Sequence, residues 1–254
     1  MHPNDNVISR ADLLAAANRI LQPERFKDYG PNGLQVEGRH DIRRLVTGVT
    51  ASLALIEAAL EAKADAILVH HGLFWRGQDA CVTGWMKPRL QRLLSNDVSL
   101  LAYHLPLDAE PHLGNNARIG QLFGWECDAY FGDQQLGCMA DANFSNLDEL
   151  VERVSKTFKR TPVVVGESRR PIKRVAWCSG GAQSYFEDAI AAGADVFLTG
   201  ELSEPQTHYA RECGVVYVEA GHHATERYGV QALGDALARE LGIHHEFIDI
   251  DNPA

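Results

Sequence analysis

The chain has no Cys-x-x-Cys pair, no Gly-x-Gly-x-x-Gly or Walker phosphate loop, no surplus of basic residues and no long apolar run. Each absence removes a class of protein. The five cysteines (Cys81, Cys127, Cys138, Cys178, Cys213) are odd in number and scattered, which excludes a disulfide framework and a cysteine zinc knot. With 24 Lys and Arg against 34 Asp and Glu, the net charge of −10 opposes a broad nucleic-acid footprint. Two local basic clusters, Arg39/Arg43/Arg44 and Arg169/Arg170/Lys173/Arg174, read as solvated approaches to strands. Met1-His2-Pro3-Asn4-Asp5 shows no basic and then apolar leader, so a cytoplasmic, reduced protein with no membrane segment is expected.

What is present is histidine beside carboxylate. His70 and His71 follow the apolar run Ala66-Ile67-Leu68-Val69, which reads as a buried parallel strand, and ligands of open α/β sheets bind beyond the carboxyl ends of strands. A neutral imidazole there is a poor packing group and a good metal ligand. Two His-x-x-x-acid pairs add to it: His104 with Asp108, after the strand-like run Val98–Tyr103, and His222 with Glu226. On a helix opening at Gly221, His222 and Glu226 share a face, while His223 points elsewhere. Pro106 disfavours helix at Leu105, so a turn is expected to present His104 and Asp108. His104 is open between ligand, water-orienting group and hydrogen-bond partner of Asp108. The mixed imidazole and carboxylate set suits Zn, Mn or Fe and a two-metal hydrolase.

Ser9-Arg10-Ala11-Asp12 reads as a capping box opening a helix through Leu21. Leu45–Val49, Leu53–Ala62 and Ala66–Val69 form a βαβ pattern, followed by a strand over Ser99–Tyr103 and a helix over Asn115–Phe123. The stretch Glu126–Ser145 is irregular and is the expected junction. Leu147–Phe158 reads as helix, Pro162–Val165 as strand, and Glu246–Ile250 as the final strand. Shifted by 130 residues, Arg44–Leu68 lies over Arg174–Leu198 without a gap, five of nine positions from Glu57 and Glu187 are identical, and His71 falls on Glu201. A shift of 118 places His104 on His222 and Asp108 on Glu226. The expected fold is therefore α/β, with two related lobes (an internal pseudo-repeat) of mostly parallel sheets around a central metal cleft. Their expected bounds are residues 1–126 and 127–254, the last helix and strand being able to pack on the first lobe.

Other features weigh less. His244-His245 has no carboxylate at ligand spacing and is expected to face solvent. His2, His40, His112 and His208 read as structural or surface residues. Ser179-Gly180-Gly181 reads as a tight βα turn. Glu201 ends a strand and is a candidate general base or a carboxylate supporting a ligand. Phe74 and Trp75 could wall the site, stack on a planar substrate or pack between subunits.

Tyr29-Gly30-Pro31-Asn32-Gly33-Leu34-Gln35-Val36, Val69-His70-His71-Gly72, His104-Leu105-Pro106-Leu107-Asp108 with Gly114-Asn115-Asn116, Thr199-Gly200-Glu201 and Gly221-His222-His223-Ala224-Thr225-Glu226 occur in this order. Together they resemble the bacterial Nif-three-like family, the GTP cyclohydrolase 1 type 2 homologues, over essentially the whole chain and in its short form. The resemblance implies the Nif-three-like fold, a toroidal homohexamer, and two divalent metal ions per chain held by His70, His71, Asp108, His222 and Glu226. His104 and Glu201 are then the candidates for moving protons. The expected function is hydrolysis of a small molecule, a nucleotide such as GTP among the options. The alternative is a non-catalytic metal-binding regulatory or scaffold protein.

Overall fold

Along the strand Arg44–Thr50, Leu45 and Val49 enter one apolar cluster with Leu13, Ala17, Leu68 and Leu101, whereas Val46 enters another with Leu55, Ile56, Ile67 and Leu93. Alternate residues bury opposite faces, so the strand is apolar nearly throughout and helices must cover both sides of its sheet. The molecule is seen here as a computed structural model that describes residues 6–168 and 170–254. The expectations for Met1–Asp5, His2 among them, and for Arg169 lie outside the described residues.

Contacts divide the chain into two units, residues 1–114 with 229–251 and residues 115–228 with 252–254. One boundary falls inside the helix His222–Leu241. The first unit's main sheet runs His244–Phe247, Arg44–Thr50, Ala66–His71, Ser99–Ala102, Gly33–Val36. Its first four strands are parallel and the last is antiparallel. The second unit's sheet runs Ala129–Phe131, Gly137–Phe144, Ile172–Trp177, Val196–Thr199, Val216–Glu219, Val163–Val165. Only Ile172–Trp177, Val196–Thr199 and Val216–Glu219 are mutually parallel there. The fold is α/β as expected and both sheets are mixed: the first is still mostly parallel, whereas the second is not. The stretch Glu126–Ser145 supplies part of the reason: it forms an antiparallel pair of strands rather than an irregular junction, turning at Gly132, where φ is +75°.

The internal repeat is visible in the hydrogen bonds. Leu45 pairs with Ala66 and Val175 with Val196, which keeps the offset of 130. Asp65 Oδ2 accepts from the backbone N–H groups of Arg43 and Arg44 at 2.9 and 3.0 Å, and Asp195 Oδ2 accepts from Lys173 and Arg174, both at 2.9 Å. In each repeat the aspartate between helix and strand ties down the start of the neighbouring strand. Ser99 and Val216, which pair with Ala66 and Val196, differ by 117. The offset of 118 between His104 and His222 thus requires one extra residue after the second strand, and Gly221, with φ +95°, stands in that turn.

Two local expectations are corrected. Leu105–Ala109 is a short helix despite Pro106, because proline at the second helical position removes an N–H that has no intrahelical partner anyway. The His245 side chain does not face solvent: it is 5% exposed, with Nδ1 2.8 Å from Asp235 Oδ1 and Nε2 2.8 Å from Thr47 Oγ1. The capping box at Ser9 and Asp12 and the helices Asn115–Phe123 and Leu147–Phe158 form as expected. The basic clusters meet carboxylates, Arg39 on Asp65, Arg44 on Glu246 and Arg174 on Asp128 and Asp141. Among the described residues no helix is long and apolar enough to cross a membrane.

Replacing Asp65 or Asp195 by Ala leaves two strand-entry N–H groups without their acceptor. Each variant is expected to lose about 1–3 kcal/mol of stability, read from the urea midpoint; an unchanged midpoint in both would show that water replaces the carboxylate without cost.

Candidate metal centre

In the first unit, the strand Ala66–His71 carries His70 and His71 to its carboxyl end, and their rings lie 4.5 Å apart. His70 is fully buried, and its Nδ1 is 3.0 Å from the carbonyl oxygen of Tyr103. A carbonyl only accepts, so Nδ1 carries the proton and Nε2 the lone pair. That lone pair faces Asp108 Oδ2 at 3.6 Å, too far for a hydrogen bond. His71 Nδ1 lies 3.2 Å from Thr50 Oγ1. His104, capping the helix Leu105–Ala109, has Nδ1 2.7 Å from Asp28 Oδ1. One ring nitrogen each from His70, His71 and His104 lie within 4.8 Å of one another.

Sequence reasoning did not single out Asp28. Its side chain is 3% exposed and also accepts from the N–H groups of Tyr29 and Leu105 and from Asn32 Nδ2. Burial works against its charge, but the hydrogen bond from His104 and the other donors outweigh it and hold its pKa below the ordinary value. Asn32 Oδ1 accepts the His104 N–H at 2.8 Å. The turn Asp28–Asn32 thus holds His104 by both its ring and its backbone N–H. The available signal was an aspartate beside a Gly-Pro-Asn-Gly turn, which by itself reads only as turn chemistry.

In the second unit, His222 opens its helix and Glu226 follows one turn later, Nε2 to Oε2 3.2 Å. His222 Nδ1 is 2.7 Å from Glu201 Oε1, and Glu201 Oε2 accepts from Gln183 Nε2 at 3.0 Å. Burial disfavours a charged His222, yet Glu226 and Glu201 outweigh it and raise its pKa to about 9. His223 is buried too, at 8% exposure. Gly180, with φ +64°, leaves room for Glu226: a Cβ there would stand 2.0 Å from Glu226 Oε1. Asn116 Oδ1 accepts the Ser179 N–H at 2.8 Å, anchoring that turn. Ser179–Gly181 is therefore the wall behind a carboxylate.

The buried histidines and carboxylates have the donor chemistry of a site for a divalent transition metal. The rings of His70, His104 and His222 are held through Nδ1 by an oxygen acceptor and offer Nε2, the arrangement of a metal-ligating histidine with its outer support. Buried carboxylates, Asp108 at 7% and Glu226 at 2% exposure, stand beside two of them. A cation would compensate these charges.

An α/β protein with buried histidine–carboxylate groups at strand ends defines a class, and comparison makes it particular. The sequence profile of the Duf34/NIF3 (NGG1p interacting factor 3) family matches residues 8–253. A "GTP cyclohydrolase 1 type 2 homolog" of Pseudomonas aeruginosa is 50% identical over 253 residues, spanning 97% of this chain and 99% of that protein. One of Neisseria meningitidis serogroup A is 49% identical over 251 residues, spanning 98% and 100%. The solved structure of protein ybgI, of unknown function, superposes with a TM-score of 0.92 at 41% identity, covering 97% of this chain and 100% of that one. The chain belongs to the Duf34/NIF3 family.

Two outcomes follow from this geometry. Glu201→Gln, which loosens the support of His222, is expected to weaken Zn or Mn binding by about 10–100-fold, measured by competition with a chromogenic chelator; equal affinity would show that His222 needs no such support. In the metal-free chain a His222 pKa raised from 6.5 to about 9 adds stability that is full below pH 6.5 and is lost as pH rises through 9. Denaturant titrations across that window should show the decline, and His222→Ala should remove it; a parallel decline in that variant would assign it to another group.

Proposed function

We propose that this chain is a metal-dependent hydrolase that holds two divalent ions, Zn, Fe or Mn, through His70, His71, Asp108, His222 and Glu226. The observation that carries the reading is the Nδ1-anchored histidine whose Nε2 faces a buried carboxylate, once in each unit (His70 with Asp108, His222 with Glu226). When bound, such ions supply Lewis acidity and lower the pKa of water to near neutrality.

The chain's own groups supply orientation and proton handling. Asp28 fixes the His104 ring through Nδ1, leaving Nε2 to accept or return a proton. Glu201 fixes the His222 ring, and its second oxygen, held by Gln183, keeps the carboxylate in one orientation. Both proton-handling candidates are more accessible than His70: the side chains of His104 and Glu201 are 20% and 44% exposed. The substrate is a small molecule. A nucleotide, with ring opening of the GTP cyclohydrolase kind, is the finer proposal, supported by the names its relatives carry. A toroidal homohexamer is the proposed assembly, supported by the resemblance and by the exposed Val82, Trp85 and Leu94. The competing reading is a metal-binding regulatory or scaffold protein, favoured by the family's description as an interacting factor.

Elemental analysis of protein purified without added metal is expected to find about two transition-metal ions per chain, lost in His70→Ala and Glu226→Ala and kept in His208→Ala. Turnover of GTP should fall about a hundredfold or more in the first two variants. No metal uptake from Zn, Mn or Fe solutions would sink the hydrolase, and bound metal without turnover of any nucleotide or phosphoester would leave the regulatory reading.

A further inference from the structure

Beside His104 lies an open cavity of about 390 Å³, lined by Asp28, Tyr29, Gly30, Pro31, Phe74, Trp75 and Arg76. Its size falls in the range of small-molecule sites, about 300–1,000 Å³. Its walls are aromatic and reach the metal-ligating candidates: Trp75 meets His104 edge-to-face at 5.1 Å and lies 6.0 Å from His71, and Tyr29 meets His104 at 6.0 Å. Tyr29 and Phe74 are 58% and 36% exposed, so large ring surface stands open to solvent next to buried histidines.

The two loops that make the cavity are fastened together. The Arg76 N–H donates to the Tyr29 carbonyl at 2.6 Å, and Arg76 Nη2 donates to the Asp28 carbonyl at 2.8 Å. Trp75 N–H donates to Gln78 Oε1 at 3.1 Å. Gly30 permits the approach, since a Cβ there would stand 2.5 Å from the Phe74 carbonyl oxygen and 3.4 Å from Trp75 Cε3. A wall built this way is preorganised, so a ligand does not have to order it.

The charges choose the ligand. The Asp28 carboxylate is turned to His104, Leu105, Asn32 and Tyr29, while Arg76, an exposed cation, lines the cavity with Nη2 fastened to the Asp28 carbonyl. A guanidinium matches a phosphate or carboxylate with parallel hydrogen bonds. Exposed rings offer a stacking surface to a flat π-system. The geometry points to a subsite for a planar heteroaromatic ring bearing an anionic group, the ring against Trp75 and Tyr29 and the anion on Arg76. This deepens the hydrolase reading, on which it rests for the role of the adjacent histidines, by naming the residues that select the substrate.

The test is calorimetric titration of the metal-loaded full chain with GMP, guanosine and inorganic phosphate. GMP should bind at least about tenfold more tightly than either fragment. Trp75→Ala and Arg76→Ala should each weaken GMP about tenfold or more, Trp75→Phe should restore most of the loss, and His208→Ala, outside the cavity, should leave GMP affinity unchanged. Metal content is measured in every sample. GMP binding no tighter than phosphate, or unaffected by both alanine variants, overturns the subsite. Sedimentation in which the variants change only the oligomeric state, with ligand affinity intact, also overturns it and assigns the rings to contact between copies. Full metal without GMP binding removes the subsite alone, whereas GMP binding without metal removes the hydrolase and leaves the subsite.

Discussion

An imidazole presents one lone pair, and the bond made by its other nitrogen decides which nitrogen presents it. The structure is arranged around this constraint. His70 donates to the carbonyl at the end of the neighbouring strand, His104 is held by a buried aspartate in a turn, and His222 by a glutamate just beyond a strand. The supporting oxygens come from three different kinds of backbone, yet each leaves Nε2 as the offered atom. Remove them and the rings could rotate or change tautomer, and the carboxylates Asp108 and Glu226 would lose a defined partner. Much of what looks incidental in the chain, such as the Asp28–Asn32 turn and the glycine at 180, serves this orientation.

The repeat explains why such support arises twice. Parallel strands end together at one edge of a sheet, where backbone groups are released from the ladder and side chains of successive strands converge. Each unit builds that edge by the same steps, down to the aspartate (Asp65, Asp195) that ties the strand entry by two N–H bonds. The copies have since diverged in what the edge carries. His71 ends its strand as a candidate ligand, whereas Glu201 at the corresponding position supports a histidine instead.

Where a signal was periodic or local, the sequence disclosed it: the capping box at Ser9, the helices at Asn115 and Leu147, the 130-residue offset. It also pointed to His70, His71, His104 and His222, and the structure sets each ring with Nδ1 beside an oxygen. It did not disclose Asp28 or Asn116, since a turn aspartate and a helix-start asparagine have ordinary local uses and their distant partners leave no mark on spacing. The antiparallel strands Ala129–Phe131 and Gly137–Phe144 were hidden, the first by its three-residue length and the second by its irregular alternation. Pro106 misled because the restriction on the residue before a proline is only a bias, which the first helical position Leu105 overrides, and His245 because its partner Asp235 lies ten residues away on a different element.

Buried charge gives the two sets of ligands a common energetic problem. Asp108 and Glu226 are nearly inaccessible, and an uncompensated carboxylate in such a place is strongly disfavoured. In the metal-free chain a proton serves as the compensating cation in the second unit: His222 holds it up to a pH of about 9, against the penalty of its own burial, because Glu226 and Glu201 both favour it. A divalent ion would have to displace that proton to reach Nε2, so metal and proton compete for one position. His104 and Glu201 keep part of their surface in solvent, which under the proposed function would give a displaced proton a route to bulk water. Glu201, which orients the His222 ring, would on that reading also carry its proton, so that one contact would serve both tasks.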